Sequence, residues 1–350
     1  MLDTKARSRN AGEPAVQAKS MSALRIAVLI PCLNEEAAIP KVVKDFREAL
    51  PSANIFVFDN NSQDGTAAVA SAAGAIVRAE RLPGKGNVIR RMFADIEADV
   101  YVLVDGDDTY DAAAAPRMVR LLLNERLDMV NGARVTAMEK AFRRGHRLGN
   151  ALLTGIVRKI FGNRVSDMLS GYRAFSRRFV KSFPALASGF ETEAELTVHA
   201  LELKMPIHEI SVGYRERPAN SASKLRTYSD GLRILRTIVV LIKEERPLLL
   251  FSAASAILAF AGAALGIPII SEFMRTGLVP RFPTAILTTG LMLLSFLSLT
   301  CGLILDSVTR GRRELKRMAY LAIPAPGLDG YGEKQGALTE SWELFVGEKV

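Results

Sequence analysis

A chain of 350 residues, 49% of them hydrophobic, is long enough for one large α/β domain and a smaller unit. Its net charge of +9 points to acidic partners such as phosphates, nucleotides or an anionic membrane face. The basic residues are dispersed and no helix-turn-helix, RNA-recognition or zinc-finger pattern occurs, so nucleic acid is not an expected partner.

Residues 1–23 hold Lys5, Arg7, Arg9 and Lys19 with no apolar core, and are expected to be a disordered leader rather than a signal peptide. A strand is expected over 26–30, after which Pro31, Cys32, Leu33, Asn34, Glu35 and Glu36 lead into a helix ending near Leu50. The next strand, over 54–58, runs into Asp59, Asn60, Asn61, Ser62, Gln63, Asp64 and Gly65, a polar turn that caps a helix from Thr66. A third strand over 75–79 is followed by Gly84-Lys85-Gly86 and a third helix. That glycine pair matches neither a Walker A loop nor a G-x-G-x-x-G fingerprint, which disfavours an ATPase or a dehydrogenase. Strands alternating with helices of ten to fifteen residues predict a mostly parallel, Rossmann-like α/β sheet.

The fourth strand, over 100–104, ends on Asp105, Asp107 and Asp108. Ligands of open α/β sheets sit just beyond such strand ends. Asp105 and Asp107 are two apart, so an extended backbone points them the same way. Close carboxylates repel, and a divalent cation is the usual remedy; hard oxygen ligands suit Mg²⁺ or Mn²⁺. A solvated acidic turn is the bland alternative. A calcium loop of the EF-hand type does not fit, since Tyr110 and Pro116 stand where Gly and Glu are needed. The two cysteines, Cys32 and Cys301, build no disulfide framework, and three scattered histidines argue against zinc.

Further along come a strand over 128–134, a basic stretch over 143–159, the run Asp167-Met-Leu-Ser170-Gly171-Tyr172-Arg173, the acidic set Glu191, Glu193 and Glu195, and a basic region with Arg217 and Lys224. Arg and Lys grouped on loops near a metal suit phosphate binding. Residues 226–246 place Leu232, Leu235, Ile238, Val239 and Ile242 at helical spacing among Arg233, Arg236 and Lys243, as an amphipathic juxtamembrane helix would. Two uncharged stretches, 248–271 and 282–305, are each long enough to cross a ~30 Å hydrocarbon core and predict a transmembrane hairpin over 247–309. Basic residues flank the pair at both ends, so the positive-inside rule is expected to place the preceding α/β domain and both termini in the cytoplasm, at the inner or plasma membrane. Residues 310–350 are expected to be a basic, then loose tail. Gly262 and Gly266 form a G-x-x-x-G that could pack helices within a protomer or between protomers of a homo-oligomer.

In order, Pro31…Asn34-Glu35, Asp59…Ser62…Asp64-Gly65-Thr66, Gly84-Lys85-Gly86, Asp105-Gly-Asp107, Asp167…Ser170-Gly171 and Ser223-Lys224-Leu225 resemble glycosyltransferase family 2. Within it they are most similar to the polyprenyl-phosphate glycosyltransferases, over residues 24–245. The resemblance implies a GT-A catalytic domain over 24–225. It also implies metal-dependent, inverting transfer of one sugar, glucose as the first choice, from a nucleoside diphosphate, UDP as the first choice, to polyprenyl phosphate. Pro31, Asn34, Glu35, Asp59, Asn60, Lys85 and Asp105 would bind the nucleotide-sugar, and Asp105 and Asp107 the metal. Asp107, Arg134 and Asp167 would be catalytic, Asp167 positioning or deprotonating the acceptor. Ser170, Arg217 and Lys224 would hold the acceptor phosphate. Two positions depart from the family pattern: Asn60 replaces the second Asp of an Asp-Asp pair, and Thr109 stands where some relatives carry a metal-ligating Gln. GDP-mannose or another modified sugar is the alternative donor. A non-catalytic, membrane-tethered nucleotide-sugar binder is the alternative of another class. A processive polysaccharide synthase is disfavoured, because its Gln-x-x-Arg-Trp signature is missing and the one tryptophan, Trp342, lies in the tail.

Overall fold

A computed structural model describes residues 24–135, 155, 165–189, 191–215, 240 and 246–326. The expected leader, Arg217, Lys224, most of the juxtamembrane helix and the tail beyond 326 lie outside the described residues.

Seven strands form one sheet: β1 (Ile26–Cys32), β2 (Asn54–Asp59), β3 (Ile76–Ala79), β4 (Val100–Leu103), β5 (Met129–Val135), β6 (Arg173–Ser176) and β7 (Ile207–Gly213). Their order is β3-β2-β1-β4-β6-β5-β7. The first four run parallel, as their alternation with helices requires. β6 is antiparallel to both β4 and β5, and β7 is parallel to β5. The sheet is therefore mostly parallel with one reversed strand.

Strand alternation sorts side chains onto two covered faces. Val28, Ile30 and Val102 point into a core shared with α1 (Ile39–Ala49), α2 (Thr66–Ala72) and α4 (Ala115–Asn124). Ala27, Leu29, Tyr101 and Leu103 point into the other, formed with α3 (Lys85–Asp95), α5 (Arg177–Ser182) and α6 (Thr192–Glu202). Burial on both faces is why β1 and β4 read as nearly unbroken apolar runs. The first helix starts at Ile39, later than Asn34-Glu35-Glu36 suggested. Asn34 takes a left-handed φ of 53° and ties its segment to the loop after β2, so the acidic pair belongs to a turn.

Two long helices follow, α7 (Pro247–Thr276) and α8 (Phe282–Leu321), both long and apolar enough to cross a bilayer. Their apolar side chains face outward; Phe260, for example, is 78% exposed. Gly262 and Gly266 pack within this hairpin, against Met292 and Thr288. Ser255 and Ser295 hydrogen-bond across it at 3.0 Å.

The stretch expected as a basic, then loose tail from residue 310 begins as helix, since α8 runs unbroken to Leu321. The 40 residues of α8 span ~60 Å at ~1.5 Å each, about twice the ~30 Å that a membrane span needs, so its C-terminal third extends beyond the uncharged stretch over 282–305. Arg310, Arg312, Arg313, Lys316 and Arg317, the basic part of that stretch, thus sit on a helix. That projection docks on the catalytic domain. Arg313 Nε and Lys316 Nζ donate to Glu202 at 3.0 and 2.8 Å. The Tyr320 hydroxyl donates to Asp128 at 2.7 Å, and the Arg178 guanidinium lies 4.7 Å from the Tyr320 ring centre.

Candidate active site

The reversed strand makes the site. β1, β2, β4, β5 and β7 all end at one edge of the sheet, while β6 begins there, with Arg173 beside Leu103 and Asn131. The Asp59 turn, the Asp105-Gly-Asp107 segment, Arg134 and the 167–171 loop therefore converge, although more than a hundred residues separate the first from the last.

On the β1–β2 side, Pro31 is the next-to-last residue of β1. The Asn34 amide N–H donates to Ser62 Oγ at 2.9 Å, and its side-chain oxygen accepts from Gln63 N at 2.7 Å. Glu35 is buried, its amide bonded to Thr66 Oγ1 at 2.9 Å. Asp59 accepts from Ser62 N at 3.2 Å through one oxygen; the other, Oδ1, is buried and has no hydrogen-bond partner among the described residues. A buried acceptor left unsatisfied is costly, and a donor on a bound molecule would relieve it. Asn60 is fully used inside the protein. Its amide donates to the carbonyls of Glu80 and Leu82 and accepts from Gly84 N, each at 2.8 Å, so it shapes the loop before Lys85 rather than facing a base.

Lys85 is the central cation. Its Nζ lies 2.5 Å from both Asp105 Oδ1 and Glu193 Oε1. Burial alone would lower the Lys85 pKa, but Asp105 and Glu193 outweigh it and hold the ammonium above the usual lysine range. Burial pushes the Glu193 carboxyl up. Asp107 is 4% exposed and accepts from Thr109 Oγ1 at 2.6 Å; Asp108 pairs with Lys41 at 2.7 Å. Thr109 thus braces Asp107 where a third metal ligand was in question. Among the described residues no three His, Cys, Asp or Glu side chains cluster as a closed metal site. The donor set nevertheless fits a hard divalent cation completed by phosphate oxygens. Asp105 and Asp107, two residues apart just beyond β4, offer carboxylate oxygens of the hard kind such a cation takes, and Lys85 already pairs with Asp105 there.

The second half of the edge holds Arg134 and Asp167 in a two-pronged ion pair, with both N···O distances 2.7 Å. Burial would raise the Asp167 pKa, but the Arg134 guanidinium overrides that and keeps the carboxyl below its usual range. The carboxylate to which the resemblance gave positioning or deprotonation of the acceptor is thus a weak base already engaged. Ser170 is fully buried and donates to the Gly132 carbonyl at 2.5 Å, so it closes the 167–171 loop onto β5. Gly171 must be glycine, since a Cβ there would collide with the Asp105 carboxylate.

Three contributors escaped the sequence reading. Arg173, grouped there with phosphate-facing residues, is completely buried. It donates to the carbonyls of Ser170, Met168 and Glu193 and to Thr197 Oγ1, binding the 167–171 loop to α6. Desolvation lowers its pKa to about 10. An arginine opening an otherwise apolar strand was the available signal. Glu209 accepts from Asn131 Nδ2 at 2.7 Å and from the Ser166 amide and hydroxyl, fixing the approach to Asp167. The Tyr110 hydroxyl accepts from Gly171 N at 2.8 Å.

Residues 27–183 match the family model described as glycosyl transferase family 2. Glycosyltransferase AglJ of Haloferax volcanii is 33% identical over 69% of this chain and 78% of its own length. A dolichyl-phosphate hexose transferase of the same organism is 28% identical over 63% and 95%. Glucosyl-3-phosphoglycerate synthase of Mycobacterium tuberculosis, solved with Mn²⁺, UDP-glucose and phosphoglyceric acid, superposes with a TM-score of 0.53 at 25% identity, covering 63% of this chain and 79% of that one. The mixed sheet is accordingly a GT-A-like fold, and the chain belongs to glycosyltransferase family 2.

Proposed function

We propose that this enzyme transfers one hexose, glucose as the first choice, from a UDP-sugar to a polyprenyl phosphate at the cytoplasmic face of the membrane, with inversion at the anomeric carbon. The observation that carries the reading is the union of the two parts. A sheet edge lined by Asp59, Lys85, Asp105 and Asp107 is tied through Glu202 and Asp128 to a helix continuous with an apolar hairpin. Such an arrangement suits a water-soluble donor and a lipid-borne acceptor. The basic residues Arg246, Arg310 and Arg312 at the domain end of the hairpin support a cytoplasmic catalytic domain.

In the reaction, an acceptor phosphate oxygen forms a bond to the anomeric carbon as the bond from that carbon to the diphosphate breaks. Asp59 Oδ1 accepts a hydrogen bond from the base. Lys85 places its ammonium beside the diphosphate. A Mg²⁺ or Mn²⁺ ion on Asp105 and Asp107 would neutralise charge on the departing diphosphate. The acceptor is already anionic, with a second phosphate pKa of ~6, so no strong general base is required. That agrees with Asp167 serving to hold Arg134. Arg134 offers its positive charge near Tyr214, whose ring centre lies 5.6 Å away.

The test uses membranes containing the full chain, polyprenyl phosphate and a panel of labelled nucleotide-sugars. Label from UDP-glucose is expected in the organic phase with wild type and is lost with Asp107→Asn. Label from GDP-mannose alone would move the donor assignment, and no lipid-borne label from any donor would favour a binding scaffold.

A further inference from the structure

Glu193 lies 108 residues from Lys85 in sequence, yet its carboxylate meets Lys85 at 2.5 Å. The approach is built from backbone upward. A Cβ on Gly84 would collide with the Ser188 carbonyl, and one on Gly86 with the Ala187 carbonyl and Thr192 Oγ1. Gly86 N donates to Ser188 O at 3.1 Å. The glycines of Gly84-Lys85-Gly86 thus admit the segment that leads into α6, rather than wrapping a phosphate. Glu195 then accepts from the amides of Leu186 and Ala187, both at 2.9 Å, and Arg173 grips the Glu193 carbonyl at 3.0 Å. Several independent contacts therefore hold Glu193 against Lys85.

Asp105 has two claims on it. It is paired with Lys85 at 2.5 Å, and it is also the carboxylate that would receive the cation. A divalent ion taking Asp105 draws one of the carboxylates paired with it among the described residues away from a lysine whose side chain is only 10% exposed. A buried charge losing its partner opposes the event that strips it. Glu193, with its side chain 8% exposed, remains to hold the ammonium.

We infer that Glu193 is a positioning residue that keeps Lys85 in place when the cation claims Asp105, so that cation and nucleotide bind together rather than in competition with the lysine. The inference rests on the donor and metal reading above and deepens it. It makes Glu193 part of the reason why the nucleotide binds more tightly with cation than without.

The experiment measures UDP and GDP binding to the full chain in detergent by calorimetry, with Mn²⁺ and with EDTA, for wild type, Glu193→Gln, Lys85→Met and the double variant. The readout is the ratio of the dissociation constants without and with Mn²⁺. Glu193→Gln is expected to shrink that ratio about tenfold, and to change it by less than about threefold in the Lys85→Met background. A merely structural role would not depend on Lys85. An unchanged ratio in Glu193→Gln, or the same loss in both backgrounds, overturns the inference. If Glu193→Gln does not fold, Glu193→Asp replaces it. A wild-type ratio in that shortened variant supports the charge role, and a loss that persists in the Lys85→Met background refutes it. Wild type that binds neither UDP nor GDP would sink the donor reading itself, and this inference with it; binding with a failed coupling sinks the inference alone.

Discussion

Replacing Asp167 with Asn separates two roles for one carboxylate. Asp167 is 8% exposed, accepts from Arg134 Nε and Nη2 at 2.7 Å each, and also from the Arg134 amide at 3.2 Å. Asn retains one acceptor oxygen but neither the charge nor the second prong. Breaking a buried ion pair by removing one partner costs ~3–5 kcal/mol; the remaining hydrogen bond places this case near the lower end, ~3 kcal/mol. At ~2–4 °C per kcal/mol, the melting temperature should fall by ~6–12 °C. The same logic gives a pH signature. The folded-state pKa of Asp167 is depressed, so its contribution is present above the unfolded carboxyl value of ~3.9 and is lost as pH falls through the lower folded value. The assay is thermal unfolding of the full chain in detergent, with transfer measured well below the melting point. An Asp167→Asn protein that melts within ~2 °C of wild type yet transfers no sugar would refute the anchoring role and restore the general base.

Two further outcomes test other parts of the structure. His199 is 2% exposed between Phe179 and Phe183, and desolvation depresses its pKa from 6.5 to about 3, so the folded state keeps it neutral while the unfolded chain takes up a proton. Stability should be full above pH ~6.5 and fall as pH drops toward ~3, by at most ~5 kcal/mol; His199→Phe should flatten that acid loss in denaturant titrations, and an unaltered pH profile would count against it. In the hairpin, a Cβ on Gly266 would sit 2.8 Å from Thr288 Cγ2 and one on Gly302 2.9 Å from Phe251 Cβ, whereas one on Gly290 would meet open space. Gly266→Val and Gly302→Val should each destabilise by ~1–3 kcal/mol in detergent melts while Gly290→Val stays close to wild type, and equal effects at all three would disprove the packing.

The sequence by itself determined the elements whose signals are local. Apolar runs at 26–32 and 100–103 had to be strands buried on both faces, and two long uncharged stretches had to be apolar helices, since period and length carry that information. The same strand readings put Asp59, Asp105 and Asp107 at strand exits and Lys85 at the start of a helix. Pairing across distance, by contrast, was set by the folded chain. The antiparallel entry of β6 brings the 167–171 loop to the edge where β4 ends, and nothing near residue 173 announces that reversal. Asn60, Ser170 and Arg173 looked ligand-facing because polar residues in loops resemble site residues. Each is instead consumed by buried backbone groups that only the folded chain brings within reach. The Glu193–Lys85 contact, 108 residues apart in sequence, and the docking of α8 on Asp128 and Glu202 follow from the same cause: hydrogen bonds and ion pairs act over a few ångströms of space, whatever the length of chain between the partners.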